Sequence, residues 1–414
     1  MNEKETTIEN GGQVTISPPS KVKSNHTPST KILASGVDSL NIAIDVFWIT
    51  TDLFKYLADL KQTAKQTGVD EPGSFQIEDH TQKWIFNVRP HGTNGYEWIL
   101  HNRELTLKIG AWLKPQSRPS VLVEIRSETL WNVGVEKAID AIVLILKSQG
   151  GTRIRLKPSR VDLCADILLP EDRWNIGLID FAITRSTYTT PHFKHKKLTG
   201  ISIGKGKISA RLYDKPLEIT QKSKKLWMYD IWGIKEVPEG WKVIRVEFQL
   251  RREILSQLAI NDIQDLFLHC DNIWAYCSQN WLKFQTNPDK HHTQRKTFKW
   301  WEDIQNGFLG VQEPTPLIRS KSVHFDIEQN TNQTIGHLSS IIAARIVGLE
   351  LDEHVPAEIE DGLMPILKKI NASEASKDEF AESVRRKRAK FYRDLSHHNE
   401  AENQRKKLGF PTQN

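Results

Sequence analysis

The sequence predicts an α+β fold with a mostly antiparallel central sheet, flanking helices and a helical C-terminal part. The first observation is the period-two alternation of apolar and polar residues, typical of half-buried strands, in many segments before residue 250. The second is the change to helical spacing from about residue 255 onward. Runs of strands followed by runs of helices favour the α+β class over a regular alternation of the two.

The N-terminal half is predicted to hold a tail, several strands and two helices. Residues 1–35 are rich in Ser, Thr, Pro and Asn, which is typical of a disordered tail. "GVDSLNIAIDVFW" alternates as a strand does, and "TDLFKYLADLKQTAKQTG" predicts a helix that ends at Gly68. Further strands, broken by Gly and Pro, and one amphipathic helix are predicted in the following segments: "QKWIFNVRP", "YEWILHNRELTLKIG", "PSVLVEIRS" and, for the helix, "TLWNVGVEKAIDAIVLILKSQGG".

The next segments complete the sheet. "TRIRLKPSRVDLCADILL" predicts a strand, "GISIG" and "KISARLYDK" a hairpin, and "WKVIRVEFQLRREIL" a strand that passes into a helix near Glu253. Helices are predicted from there on, including "IGHLSSIIAARIVG" and "SKDEFAESVRRKRAKFYRDL". The predicted organisation is therefore a tail, a sheet domain, an irregular linker and a helical, basic C-terminal region, with these bounds: 1–35, 36–283, 284–335 and 336–414.

Composition restricts the class of protein. The 414 residues carry a net charge of +6, which permits a polyanionic partner without proving one. Three cysteines, Cys164, Cys270 and Cys277, neither form a disulfide framework nor have the spacing of a zinc site. The chain begins without the apolar segment of a signal peptide and has no uncharged apolar run long enough to span a bilayer. We therefore predict a cytoplasmic protein.

Three predicted strands carry charge on one face, because residues two apart in a strand point to the same side. "RVDLCADI" places Asp162 and Asp166 together, and "IRVEFQLRRE" places Arg245, Glu247 and Arg251 together. "KGKISARLYDK" is predicted to place six polar residues on one face: Lys205, Lys207, Ser209, Arg211, Tyr213 and Lys215.

These residue types suit attack on a phosphodiester. Asp162 and Glu247, on adjacent strands, offer the hard oxygen ligands that Mg²⁺ or Mn²⁺ prefers. A free phenol has a pKa of about 10 and is a poor nucleophile at neutral pH. Arg211 and Lys215 are expected to favour the Tyr213 phenolate and to stabilise charge on the phosphoryl oxygens. The alternative is a solvated sheet face with ordinary cross-strand ion pairs; the coincidence of three patterns in one β-rich block favours a site.

In this order, "RVDLCAD", "GISIGKGKISARLYDK" and "IRVEFQLRRE" resemble the replication initiation factor (Rep_trans) family. Its members are rolling-circle plasmid and phage initiators and related relaxases of conjugative elements. The resemblance covers about residues 36–283 and departs from the family at "GKGK", where a Gly-Ser turn is usual. It implies a tyrosine nucleophile at Tyr213, basic partners at Arg211 and Lys215, and metal-binding acids at Asp162 and Glu247, with Asp166 as an optional third acid.

The activity implied by the resemblance is metal-dependent, site-specific DNA nicking that initiates rolling-circle replication. The tyrosine would keep the 5′-phosphate and the released 3′-hydroxyl would prime a polymerase. The resemblance also implies a DNA hairpin at the origin, a host helicase and a homodimer. Four further cations are predicted DNA contacts: Lys205, Lys207, Arg245 and Arg251.

Three alternatives stay open on the sequence. A relaxase that nicks the transfer origin of a mobile element would use the same chemistry. A DNA-binding regulator would keep the fold without catalysis, and a structural nucleoprotein would bind by charge alone. Other signals are interpreted as structural: His192 and His195 as surface residues and the tryptophans of "KWW" as core. For the basic run at 384–393, phosphate contact and a solvated helix face are equally supported interpretations.

Overall fold

The fold is α+β, as predicted, with an antiparallel sheet and a helical C-terminal part. A computed structural model describes residues 29–76, 83–287, 289–291, 294–311, 313–319, 334–335, 337–338 and 358–410. The chain divides after Leu317 into two compact units. The sheet and the candidate site belong to the first unit.

Thirteen strands are present in the described part of the chain. They are β1 (Lys31–Trp48), β2 (Glu71–Gln76), β3 (Lys83–Val88), β4 (Trp98–His101), β5 (Leu105–Ile109), β6 (Val121–Ile125), β7 (Gly151–Pro170), β8 (Ala182–Thr184), β9 (Thr189–Lys194), β10 (Lys197–Ile203), β11 (Ile208–Asp214), β12 (Trp241–Arg251) and β13 (Leu282–Phe284). Eleven form one sheet in the order β2-β3-β4-β5-β6-β1-β7-β12-β11-β10-β9, and β8 pairs with β13. The pairs within the sheet are antiparallel, and the predicted hairpin is β10–β11.

Helices follow or interrupt the strands. They are α1 (Asp52–Thr67), α2 (Ser127–Asn132), α3 (Val135–Ser148), α4 (Lys215–Glu218), α5 (Met228–Trp232), α6 (Arg252–Gln257), α7 (Ile263–Leu268), α8 (Cys270–Ala275), α9 (Lys299–Asn306), α10 (Glu358–Ile370) and α11 (Glu374–Lys407). Gly68 ends α1 in the left-handed conformation, at φ 74°, as predicted. The predicted helix after β6 is instead two helices, because Gly134 at φ 95° breaks it.

Alternation along β1 and β7 separates two faces of the sheet. Leu40, Ile42 and Ile44 of β1 are fully buried in the main core, while their neighbours on the strand face the other side. We call this second side the site face. Near the N-terminal end of β1 it is covered by a small apolar cluster that includes Trp131 of α2 and Trp232 of α5. The catalytic candidates lie on the site face beside this cluster.

Two predicted boundaries differ from the structure. Strand β1 begins at Lys31, because residues 31–35 pair with the end of β7, so only 1–28 of the predicted tail lie outside the described residues. The predicted linker contains α9, whose Trp300 and Trp301 are buried in the first unit, as predicted for "KWW". Most of the helix predicted in "IGHLSSIIAARIVG" lies outside the described residues.

The second unit contains α10 and α11. Residues 385–387 of α11, which belong to the predicted basic run, are exposed. No helix within the described ranges has the length and apolar character needed to cross a membrane.

Candidate active site

Three central strands bring four of the predicted site residues together. In the register of β11 with β12, Arg211 lies opposite Glu247 and Tyr213 lies opposite Arg245. In the register of β12 with β7, Gln249 lies opposite Asp162. Four side chains therefore converge on the site face: Asp162, Arg211, Tyr213 and Glu247. Arg211 is hydrogen-bonded to Asp162 and to Glu247, and Tyr213 is hydrogen-bonded to Glu247.

Tyr213 is bonded directly to a carboxylate. Its hydroxyl donates to Oε2 of Glu247 at 2.9 Å. Burial and then the negative charge of Glu247 raise the pKa of Tyr213 well above its ordinary value. The expectation that Arg211 and Lys215 favour the phenolate is therefore wrong for this arrangement. The phenol is neutral and has a proton acceptor in place.

Arg211 links the two metal-ligand candidates. Its Nη2 donates to Oδ2 of Asp162 at 3.3 Å and also to Oε1 of Glu247. Asp162 is held from the other side by Arg160, whose Nε donates to Oδ1 at 2.8 Å. The Nε of Arg211 is buried without a hydrogen-bond partner. The two carboxylates are thus oriented toward one shared cationic group.

This arrangement fits a divalent cation with two protein ligands. Asp162 and Glu247 each direct one oxygen to the position that the Arg211 guanidinium occupies, while Oε2 of Glu247 faces Tyr213. Mg²⁺ is often held by one or two carboxylates, with waters and substrate phosphates as the other ligands. Within the described part of the chain, no group of three or more His, Cys, Asp or Glu side chains is arranged to hold a metal. Asp162 and Glu247 are the residues that would hold it.

Lys215, Lys205 and Lys207 are not on the face of β11, contrary to the predicted parity. Strand β11 runs only from Ile208 to Asp214, and Lys215 begins α4. Lys215 is buried, and its Nζ lies 2.7 Å from Glu218 and 5.5 Å from the centre of the Tyr213 ring. Lys205 and Lys207 lie in the exposed turn between β10 and β11.

The "GKGK" segment forms this turn. Gly204 and Gly206 have φ of 85° and 78°, a left-handed conformation that glycine adopts at little cost. Lys207 forms an ion pair with Glu253 at 3.2 Å, and Lys205 lies 4.4 Å from the ring centre of Tyr188. Arg251, the last residue of β12, is exposed. The side chains of these three cations are exposed.

Arg245 and Asp166 form a buried ion pair instead of the predicted DNA contact and metal ligand. Both side chains are fully buried, and Arg245 donates to the two oxygens of Asp166 at 2.6 and 2.7 Å. Trp232 donates to Asp166 at 2.8 Å. Although burial opposes its charge, the carboxylates raise the pKa of Arg245 well above its ordinary value. Arg245 lies opposite Tyr213 in the sheet, and the Arg245–Asp166 pair is inaccessible to solvent.

Asp38 is a third member of this network that the sequence did not indicate. A β-bulge in β1 between Val37 and Ser39 turns its side chain to the site face, where Arg245 donates to it at 2.7 Å. Ser127 and Trp131 of α2 also donate to it, at 2.8 and 3.0 Å. Burial alone would raise its pKa, but Arg245, then two lysines, hold the pKa of Asp38 well below its ordinary range.

A cavity of about 380 Å³ opens beside Tyr213 and Arg211. His192 of β9 lines it, and its Nε2 lies 2.8 Å from Oγ of Ser202 on β10. Gly200 keeps part of this cavity open, because a Cβ at that position would lie 3.2 Å from the Cβ of Tyr213. His192 is exposed, as predicted, but strand β9, which places it at the cavity, was not predicted.

No protein-family model matches the chain, and no curated protein is found to match it. The three cysteines are buried and unpaired, and burial raises their pKa values, so none has the character of a reactive thiol.

Proposed function

We propose that this protein is a metal-dependent DNA nickase that initiates rolling-circle replication through a covalent Tyr213–DNA phosphodiester. The observation that carries the proposal is the hydrogen bond from Tyr213 to Glu247 beside a cavity that Arg211 and His192 also line. A nucleophile bonded to its own base, with a guanidinium beside it, is a constellation that suits phosphoryl transfer to a tyrosine.

In the proposed reaction, Glu247 takes the proton of the Tyr213 hydroxyl as the phenolic oxygen attacks phosphorus. A Tyr213 O–P bond forms and the P–O3′ bond breaks, so the 5′-phosphate stays on the tyrosine. The departing 3′-oxygen takes a proton from water and becomes a free 3′-hydroxyl that a polymerase can extend. Because a proton moves to Glu247 during the attack, the raised pKa of the phenol is no obstacle.

Arg211 and the carboxylates have separate roles in this scheme. The side chain of Arg211 is 43% exposed, so it can leave the carboxylates and contact the phosphoryl oxygens. A Mg²⁺ or Mn²⁺ ion held by Asp162 and Glu247 would supply charge neutralisation at the same phosphate. By resemblance, the substrate is a hairpin origin, a host helicase and polymerase act next, and the protein works as a dimer. The cysteine content of the sequence favours the cytoplasm as its location.

The test is capture of the covalent intermediate. Wild-type protein incubated with single-stranded oligonucleotides from its own replicon and MgCl₂ should give a denaturant-resistant protein–DNA adduct. After proteolysis, mass spectrometry should find the nucleotide on the peptide that contains Tyr213. Cleavage with no adduct, or an adduct on another residue, would contradict the proposal.

The pH dependence of nicking tests the role of Glu247 as the base. Burial raises the pKa of Glu247, and the nearby carboxylates Asp38 and Asp162 raise it further, against the lowering effect of Arg211. The base must be ionised, so the rate should fall as pH drops through this raised pKa. The acid limb of single-turnover nicking should move to lower pH as MgCl₂ is raised, because a cation bound to Glu247 would oppose its protonation.

The matched variants are Glu247→Gln and Glu253→Gln. The amide introduced by Glu247→Gln cannot accept the phenolic proton, so the residual rate should lose this acid limb. Glu253 is exposed and pairs with Lys207, so its replacement should leave the profile unchanged. An acid limb that persists in Glu247→Gln belongs to another group and removes Glu247 from the base role.

Two alternatives are separated by independent observations. A relaxase would perform the same reaction at a transfer origin, and transfer genes beside the coding sequence would favour it. A DNA-binding regulator would bind the same DNA without metal-dependent cleavage. The Tyr213–Glu247 contact favours an enzyme over a regulator, because a regulator has no need of it.

A further inference from the structure

Strand β7 carries a basic row that continues from the site. Asn41 of β1 pairs with Arg160, and the next residue, Ile42, pairs with Pro158, so Ser159 is an extra residue in β7. This β-bulge shifts the alternation by one position. Without it, the side chains of Lys157 and Arg155 would point into the main core on the side opposite to Asp162.

With the bulge, Lys157 and Arg155 lie on the site face. They pair with Ala43 and Asp45 of β1, whose neighbours Ile42 and Ile44 are fully buried on the core side. Arg153, Arg155 and Lys157 are exposed. We call Arg153, Arg155, Lys157 and Arg160 the basic row. It starts at the residue that holds Asp162 and extends away from Tyr213 along an open part of the sheet.

Three side chains of the basic row, those of Arg153, Lys157 and Arg160, make side-chain contacts. Arg160 donates to Asp162, and Nζ of Lys157 lies 3.0 Å from Asp45. The guanidinium of Arg153 lies 5.5 Å from the ring centre of Phe47, which shares this face. Arg155 and Lys157 are same-face neighbours, roughly 6.5–7 Å apart along the strand. Arg153 lies at a second bulge, between the pairs Asp45–Arg155 and Phe47–Thr152, and its contact with Phe47 places its guanidinium on the site face. The result is a line of cations with an aromatic ring at its far end.

We infer that the basic row binds the single-stranded DNA that flanks the phosphate attacked by Tyr213. Cations in a line follow a sugar–phosphate backbone, and an aromatic ring accepts a base by stacking; together they are the features of single-strand binding surfaces. The aromatic ring favours a single strand over a duplex, because a base can stack on Phe47 only when it is not held within a duplex. The inference rests on the proposed function, because Tyr213 defines where the strand must pass.

The test is equilibrium binding, which needs no cleavage. Arg153→Glu/Arg155→Glu is compared with Lys65→Glu/Lys137→Glu, which makes the same charge change at exposed positions of α1 and α3. The probe is a fluorescent oligo-dT, titrated at several salt concentrations between about 50 and 200 mM. Loss of two phosphate contacts should lower the slope of log K against log salt by about 1.4 and weaken binding at physiological salt roughly tenfold. The control should match wild type.

Each outcome decides the inference. Binding and slope equal to wild type in Arg153→Glu/Arg155→Glu, or an equal loss in the control, would overturn it. A fully duplex probe that loses as much affinity as oligo-dT would also overturn the assignment to a single strand. Failure of the proposed function is seen separately, as nicking by Tyr213→Phe, and leaves this binding result intact.

Discussion

Replacement of Tyr213 by phenylalanine is expected to abolish nicking while DNA binding and the fold are retained. The change removes one oxygen, so the ring keeps its place in β11 and beside Lys215. The nucleophile is lost, and no other hydroxyl is bonded to Glu247 among the described residues. Removal of a nucleophile lowers turnover by roughly 10³-fold or more in enzymes that use one. The measurement is conversion of supercoiled replicon DNA to the open circle with MgCl₂.

Tyr188→Phe is the matched control. Tyr188 is 55% exposed and lies before β9, so loss of its hydroxyl should leave nicking unchanged. Binding of Tyr213→Phe to a single-stranded probe should equal that of wild type, which separates lost chemistry from lost recognition. Nicking by Tyr213→Phe at the wild-type rate would exclude the tyrosine mechanism. The tyrosine would then have no catalytic role, as in the DNA-binding regulator alternative.

Alternation in the sequence was sufficient to predict the parts of the site that lie within strands. Arg211 and Tyr213, like Glu247 and Arg245, are two apart on their strands and so share a face. Because β7, β12 and β11 are neighbours in the sheet, these faces meet. Period two is a local property of the backbone, and it survives whatever the strand packs against.

Period-two alternation alone does not predict where strands end or where bulges occur. Alternation assigns Lys215 to β11, although Asp214 caps α4 by accepting a hydrogen bond from the backbone N–H of Leu217 and Pro216 lies in the first turn of that helix. This Asp-x-Pro pattern is a helix-start signal that identifies the end of the strand. The bulges that turn Asp38 and the basic row to the site face have no such signal. They follow from pairing with a distant strand, which a single sequence does not contain.

Burial was the second quantity that the sequence did not provide. Arg245 and Arg251 are equivalent by parity on β12, yet one is fully buried and the other is exposed at the end of the strand. Which of them is covered depends on α2 and α5, whose Trp131 and Trp232 close over the first. The sequence alone therefore does not distinguish an arginine that contacts DNA from one that forms an internal ion pair, because it does not show which helices pack on that face of the sheet.

Replacement of Arg245 by methionine is expected to cause the largest loss of stability of any single change in the network. Asp166 would lose the cation that it pairs with, and Asp38 would keep only the weaker influence of two lysines, although Ser127 and the two tryptophans still donate. Breaking a buried ion pair by removing one partner costs about 3–5 kcal/mol. The free energy of unfolding, measured by urea titration with tryptophan fluorescence, should fall by this amount.

The double variant Arg245→Met/Asp166→Asn tests the reason for that loss. Asparagine at position 166 removes the buried negative charge that Arg245 no longer neutralises, and it still offers an oxygen to Trp232. The double variant should therefore be more stable than the sum of the two single losses predicts. Arg251→Met, an exposed change on the same strand, should alter stability by less than about 0.5 kcal/mol. If the two single losses add without coupling, Arg245 stabilises the fold by packing its side chain and not by neutralising Asp166. A fall in nicking at a temperature where Arg245→Met is still folded would further indicate that the ion pair positions the strands under Tyr213 and Glu247.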